Sequence, residues 1–412
     1  MAMQTRRCCL FAVPVAVLAL TQPFANATSP SVSTGGAAAI TARLDAATAS
    51  GDVPAVVVLV TNAEGVLYEH ASGKLNVAGN VALKTDAIFR IASMTKPVTS
   101  AAIMTLIESG KLKLDDAAAQ YVPAIGTMKV ATDVNADGSY GTRAPKRAIT
   151  IRDLLTHTSG IGYSFTDPLL FKLQTAGKPE AEFPLLHDPG EKWSYGASTR
   201  YLGNVVEKVS GQPLETYLKT RFFEPLGMTD TSYEVPASAT SRVVTVHQRA
   251  KGALTEQPNP DVIRTAPVRG DGGLFATASD YGKFVRMFLN DGRAGSTRVL
   301  SDASIRAMTK NQIGRLVVPE QPDADVLRTK RFPLGAGKDT WGLGFQLAAP
   351  PTSPTQRGTG SYSWAGLNNT HFWVDPVRRV GVVVLMQVLP FYDDACIKLL
   401  TDVETLVNKS LQ

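Results

Sequence analysis

Ile88-Phe89-Arg90-Ile91-Ala92-Ser93-Met94-Thr95-Lys96-Pro97-Val98-Thr99 is the stretch from which the rest of this chain is read. An apolar run leads into Ser93, and small, helix-compatible residues follow from Thr99 to Leu106. With Ser93 opening a helix, Ser93 and Lys96 stand at i and i+3, on one face and about one turn apart. An amine then sits beside a hydroxyl. A serine becomes a nucleophile when a base takes its proton. A lysine serves as that base when burial or a nearby cation leaves it neutral. The helix N-terminus adds N–H groups and partial positive charge for an oxyanion. The same residues also fit a serine N-cap followed by a solvated lysine. The stretch therefore takes its meaning from its context.

Outward from it, residues 53–61 form a nearly continuous, β-branched apolar run and read as a buried strand. Asn62-Ala63-Glu64-Gly65 is turn chemistry, and 66–71 return as a second strand. A helix is expected over 37–47, and Gly110 closes the one that follows Ser93. From there to about residue 290 strand signals thin, and helices are expected over 151–156, 198–209, 214–223 and 279–289. Within that span, Asp133-Val134-Asn135-Ala136-Asp137-Gly138 imitates half of a calcium loop. Ala144 stands where the twelfth-position glutamate is needed, so a turn in a loop or hairpin is expected.

Strands return over 341–348, 360–364, 370–375 and 380–388, and an amphipathic helix over 393–407 closes the chain. The fold class is accordingly α/β of the α+β type. A mostly antiparallel sheet built from both ends of the chain is flanked by N- and C-terminal helices, with a mainly helical domain inserted. The sheet part takes in about 36–110 and 335–412, and the helical part about 111–334.

Residues 1–27 read as a cleaved secretory signal. Arg6 and Arg7 precede an apolar core that is too short to span a bilayer, and Ala25-Asn26-Ala27 is an A-x-A cleavage site. The paired arginines leave a twin-arginine route open beside the general one. Cleavage removes Cys8 and Cys9, so Cys396 alone remains and no internal disulfide is possible. The mature unit is then 28–412, soluble and either periplasmic or secreted, with no stable membrane anchor. The net charge of +6 is scattered. Its densest knot, Arg328-Thr329-Lys330-Arg331, follows Glu320, Asp323 and Asp325, which reads as a solvated loop and excludes a nucleic-acid patch.

Two further segments carry chemistry. Tyr195 lies in Pro189-Gly190-Glu191-Lys192-Trp193-Ser194-Tyr195-Gly196-Ala197-Ser198, a turn followed by a helix that Ser198 can cap. A tyrosine there can relay protons beside a lysine, or can simply pack on Trp193. Trp364-Ala365-Gly366-Leu367 turns into the strand at 370–375, and its small residues let backbone approach a substrate. A strand-edge N–H there can pair with that of Ser93 as an oxyanion hole. His371 either lines this pocket or packs between aromatics. His157 reads as structural and His187 as exposed. No H-E-x-x-H pattern or Cys/His spacing calls for zinc, so neither metal nor cofactor is expected.

These residues together resemble the serine β-lactamase-like hydrolases: class C β-lactamases, D,D-carboxypeptidases and family VIII carboxylesterases. The resemblance runs from about 40 to 405. It is carried by Phe89-Arg90-Ile91-Ala92-Ser93-Met94-Thr95-Lys96, Leu154-Leu155-Thr156-His157-Thr158-Ser159-Gly160 and Trp193-Ser194-Tyr195. Pro225-Leu226-Gly227-Met228-Thr229-Asp230-Thr231 and Gly272-Gly273-Leu274-Phe275-Ala276-Thr277-Ala278-Ser279-Asp280-Tyr281 extend it. It implies Ser93, Lys96 and Tyr195 as catalytic residues, with the N–H groups of Ser93 and Leu367 as oxyanion donors.

Two departures bear on substrate. Tyr195-Gly196-Ala197 stands where many relatives have Tyr-x-Asn. Trp364-Ala365-Gly366 stands where penicillin-recognising enzymes have Lys-Thr-Gly. The lost amide and cation point away from penicillin chemistry, and the Trp-x-Gly form is similar to that of family VIII esterases. The implied function is hydrolysis of a small-molecule ester through an acyl-enzyme. Trp364, Ala365, Gly366 and His371 then contact substrate. A β-lactamase or D,D-carboxypeptidase is the alternative enzyme, and a non-catalytic binder of cell-wall fragments the alternative outside enzymes.

Overall fold

The computed structural model describes residues 29–135, 139–257, 264 and 267–412. The expected signal segment, 1–27, lies outside the described residues. The two uninterrupted apolar runs are neighbours at the centre of one sheet. Ala55–Thr61 pairs antiparallel with Val380–Leu385, with Leu59 opposite Val383. A sheet buried on both faces reads as continuous rather than alternating hydrophobicity, which accounts for both runs. Val56, Val58 and Val60 meet Ile40, Leu44, Leu399 and Val403 of the terminal helices on one face. Val57 and Leu59 share a core with Met94, Val98, Phe284 and Val285 on the other.

The sheet has eight strands, all antiparallel. In spatial order they are Thr340–Trp341, Gln346–Leu347, Tyr362–Gly366, Thr370–Asp375, Val380–Leu385, Ala55–Thr61, Val66–Asn76 and Val81–Ala82. The terminal helices Thr34–Ala49 and Asp394–Ser410 lie together across one face, joined by Arg43 Nε to Asp402 Oδ2 at 2.8 Å. Ser33 and Asp393 cap them, Ser33 accepting from the Gly36 N–H and Asp393 from the Ala395 and Cys396 N–H groups. Among the described residues no helix is long and apolar enough to cross a membrane.

The intervening span supplies the helices Thr95–Glu108, Ile151–Leu155, Pro168–Thr175, Ser198–Ser210 and Ala278–Leu289. A capping box between Thr150 and Asp153 starts Ile151–Leu155. Gly211, at φ 72°, ends Ser198–Ser210 in the left-handed conformation that glycine adopts freely.

Several expectations are corrected. The strand expected over 341–348 is two short strands hinged at 342–345. The run over 380–388 breaks after Leu385, and Val388–Leu389 pairs in parallel with His247–Ala250. The helix expected over 214–223 is α-helical only for Leu214–Leu218 and continues as a π-helical turn, Lys219–Phe223. The span read as poor in strands contains the hairpin His247–Ala250 with Ala253–Glu256, whose sequence has no apolar alternation to announce it. Around the calcium-like stretch, Val130–Thr132 pairs with Gly141–Arg143 as a hairpin, and 136–138 lie outside the described residues.

Candidate active site

Ser93 sits on a single 3-10 turn, Ala92–Met94, directly before the helix Thr95–Glu108. In a 3-10 turn residues i and i+3 eclipse, so Lys96 comes back over Ser93, with Nζ 3.0 Å from Oγ. Ala92 has φ 44°, a region that residues with a side chain rarely occupy. The surroundings hold this turn. The Ile91 N–H donates to the Leu274 carbonyl at 3.0 Å, and the buried Tyr281 hydroxyl donates to the Met94 carbonyl at 2.9 Å. The strand Tyr362–Gly366 packs directly against it. A side chain at Gly366 would run into the Ile91 carbonyl, so glycine is required for that approach.

Lys96 is 1% exposed. Its Nζ also donates to the Asp271 carbonyl at 2.8 Å and to the Tyr163 hydroxyl at 3.1 Å. Burial pulls its pKa down to about 7; the Asp271 carboxylate opposes the fall, and the Arg200 and Arg269 guanidinium groups add to it. The Lys96 amine is therefore available as a base near neutral pH.

Tyr195 is buried with its ring 4.8 Å from Lys96 Nζ. It lies in an aromatic cage. Ring centroids of Trp364, His157, Tyr163 and Trp193 stand 4.9, 5.1, 5.3 and 6.3 Å away. Packing on Trp193 and placement beside the lysine thus hold together. Burial raises the Tyr195 phenol above its usual range, while the nearby Ser93 hydroxyl and Trp364 indole act in the opposite direction. Trp364 is buried, and among the described residues its indole N–H has no hydrogen-bond partner at ordinary length.

Leu367 is half-buried at the turn that follows Gly366. His371 is buried on the neighbouring strand, stacked 5.9 Å from Phe391. With Phe332, Trp364, Ala365, Trp373 and Tyr392 it also lines a cavity of about 430 Å³. Ser93, Lys96 and Tyr195 are not among that cavity's walls. Burial, and then the Arg357 guanidinium, bring His371 down to about 3, so it is neutral at ordinary pH.

His187, expected to be exposed, is buried. Its Nε2 lies 2.9 Å from Ser194 Oγ and its Nδ1 2.9 Å from the Asp188 carbonyl, so it braces the loop that carries Tyr195. His157 is buried between the rings of Trp193, Tyr195 and Trp341. Among the described residues no group of histidines, cysteines and carboxylates is placed to hold a metal ion.

Four residues around Lys96 escaped the sequence reading. Tyr163 follows the Thr158-Ser159-Gly160 segment, and its hydroxyl donates to Asp271 Oδ2 at 2.5 Å. Asp271, 4% exposed, immediately precedes the Gly272-Gly273 pair and receives Arg200 Nη2 at 3.1 Å. Arg269 Nε stands 3.6 Å from its other oxygen. Tyr163 and Asp271 are 108 positions apart, so only the folded chain joins them.

The family model described as Beta-lactamase matches residues 39–405. Protein Rv1367c of Mycobacterium tuberculosis is 34% identical over 365 residues, covering 83% of this chain and 87% of the relative. The lovastatin esterase of Penicillium rubens is 31% identical over 380 residues, covering 85% and 92%. Among solved structures, the LovD6 mutant of simvastatin synthase from Aspergillus terreus superposes with a TM-score of 0.79 at 25% identity. That match covers 91% of this chain and 95% of the other.

Proposed function

This chain belongs to the beta-lactamase family, and on that premise we propose that it is an exported serine esterase acting through an acyl-enzyme on Ser93. The observation that carries the reading is the buried Lys96 amine 3.0 Å from the Ser93 hydroxyl. Lys96 takes the hydroxyl proton as the serine oxygen attacks the ester carbonyl. The N–H groups of Ser93 and Leu367 receive the developing oxyanion. Tyr195, held as a neutral phenol, passes its proton to the departing alkoxide and regains one from Lys96. A water activated by the same pair then releases the acid.

The substrate is a small, uncharged-headed ester. Trp364 occupies the place of the cation that grips a β-lactam carboxylate, and the cage of rings around Tyr195 favours apolar acyl or alcohol groups. Likeness to an esterase and to a synthase supports acyl transfer as the reaction class. Residues 28–412 act as one catalytic unit after loss of 1–27. Turnover of a short p-nitrophenyl ester is expected to vanish in Ser93→Ala, with labelling of wild-type Ser93 by a fluorophosphonate. Activity retained in that variant places the nucleophile elsewhere. Faster turnover of a chromogenic cephalosporin than of short esters favours the β-lactamase alternative.

A further inference from the structure

The three contacts of Lys96 Nζ permit a proton count. An ammonium carries three N–H groups, whereas a neutral amine carries two and one lone pair. The neighbours are Ser93 Oγ at 3.0 Å, Tyr163 Oη at 3.1 Å and the Asp271 carbonyl oxygen at 2.8 Å. The carbonyl can only accept. Tyr163 has one hydroxyl proton, and the Asp271 carboxylate takes it at 2.5 Å. Toward Lys96, therefore, Tyr163 can also only accept. Two acceptors claim the two N–H groups of the neutral amine, and its lone pair is left facing the Ser93 hydroxyl.

We infer that Tyr163 and Asp271 are positioning residues that aim the Lys96 lone pair at Ser93, an inference that rests on the reading of Ser93 as nucleophile. In the transfer step the serine O–H bond breaks, a third N–H bond forms on Lys96, and the oxygen's electron pair goes to the substrate carbonyl carbon. The new ammonium has two protons already committed to Tyr163 and Asp271. The proton it can return lies on the Ser93 side, toward the leaving group. The Asp271 backbone does half of this work and its carboxylate the other half, through the tyrosine.

The surroundings keep the device in register. Thr99 Oγ1, one helical turn beyond Lys96, donates to the Gly270 carbonyl at 2.8 Å and ties the Asp271 loop to the lysine's own helix. Arg200 Nε and Nη2 reach Asp271 Oδ2 at 3.2 and 3.1 Å. The charged and titratable groups around Lys96 come from several segments. They are Tyr163, Tyr195 and His157 from the loops, Arg200 from the helix Ser198–Ser210, and Arg269 and Asp271 from the loop before Phe275. Asp271 is the one anion among them.

The test is the pH dependence of kcat/KM for a p-nitrophenyl ester in wild type, Tyr163→Phe and Asp271→Asn, with thermal melting of each. Tyr163→Phe keeps the ring against Phe165 and Tyr195 and removes only the hydroxyl, which accepts from Lys96 and donates to Asp271. A plateau loss of roughly ten- to hundredfold is expected from the misdirected amine. Asp271→Asn removes the charge that favours the ammonium. Its acid limb is expected to move to lower pH by roughly one unit, as loss of a close opposite charge requires. A merely structural role lowers the active fraction and leaves that limb in place. A Tyr163→Phe plateau within twofold of wild type overturns the inference, as does an unmoved limb in folded Asp271→Asn. Should Asp271→Asn fail to fold, Tyr163→Phe alone decides. Absence of fluorophosphonate label on wild-type Ser93 overturns the serine reading itself, independently of both variants.

Discussion

Lys96 and His371 are two buried bases close to the strand Tyr362–Gly366, and the protein treats them differently. Both are desolvated, and desolvation lowers the pKa of each. Around Lys96 a carboxylate opposes that fall, and the pKa stops at about 7. Around His371 the Arg357 guanidinium adds to the effect of burial, and the pKa falls to about 3. Among the described residues Lys96 has three hydrogen-bond partners, while His371 Nε2 is buried with none. Burial with a cation nearby and, among the described residues, no opposing carboxylate thus silences His371 as a base. Lys96 stays near neutrality because a nearby carboxylate offsets part of the effect of burial.

Removing Lys96 is the most severe way to probe that contrast. Lys96→Met is expected to lower kcat/KM for an ester by roughly 10³-fold or more, since the nucleophile then lacks its base. Loss of less than tenfold breaks the comparison and makes Tyr195 the base. The same variant also has a stability signature. Folded Lys96 has a pKa of about 7 against 10.5 for a free lysine, so between those values the unfolded chain holds one proton more. Stability then rises with pH across that window. The urea midpoint of wild type, compared with Lys96→Met, is expected to gain on going from about pH 7.5 to about pH 9.5. A constant gap means that the lysine is not neutral in the fold.

Tyr195→Phe comes next. The phenol is raised chiefly by burial, so it serves better as a proton donor than as phenolate. Loss of a positioned acid is expected to cost roughly 10²- to 10⁴-fold in kcat for esters of poorly leaving alcohols. The loss should shrink for p-nitrophenolate, which leaves without a proton. An equal loss for both leaving groups assigns Tyr195 to serine activation instead.

The sequence announces some of this arrangement and hides the rest, for definite reasons. The sheet joined from both chain ends is legible because two strands buried on both faces leave unbroken runs at 53–61 and 380–388. Ser93 and Lys96 are legible as neighbours because the contact spans only three positions. Tyr195 stands out through the likeness of motifs, not through any local pattern. Tyr163, Asp271 and Arg200 carry no such mark. Each is a common residue on a loop or an otherwise amphipathic helix, and the ion pairs and hydrogen bonds linking them cross 71 and 108 positions. His187 misleads for a related reason. A histidine before Pro-Gly reads as exposed, yet Ser194 and the Asp188 carbonyl satisfy both of its ring nitrogens indoors.

The smallest effect is expected on the far side of the comparison, in His371→Phe. This imidazole is neutral at any pH the enzyme is assayed at, so its loss removes no charge from the site. Its Nε2 is a buried polar atom without a partner among the described residues, which costs stability rather than adding to it. Phenylalanine is larger, but the cavity of about 430 Å³ beside it gives the ring room, and Phe391 and Tyr392 offer it aromatic partners. The melting temperature is therefore expected to hold or rise, kcat to stay within about threefold, and the acid limb to stay where Lys96 sets it. A tenfold rise in KM with unchanged kcat makes His371 a substrate contact through that cavity, in which case the two sides of the strand form one binding surface and differ only in chemistry.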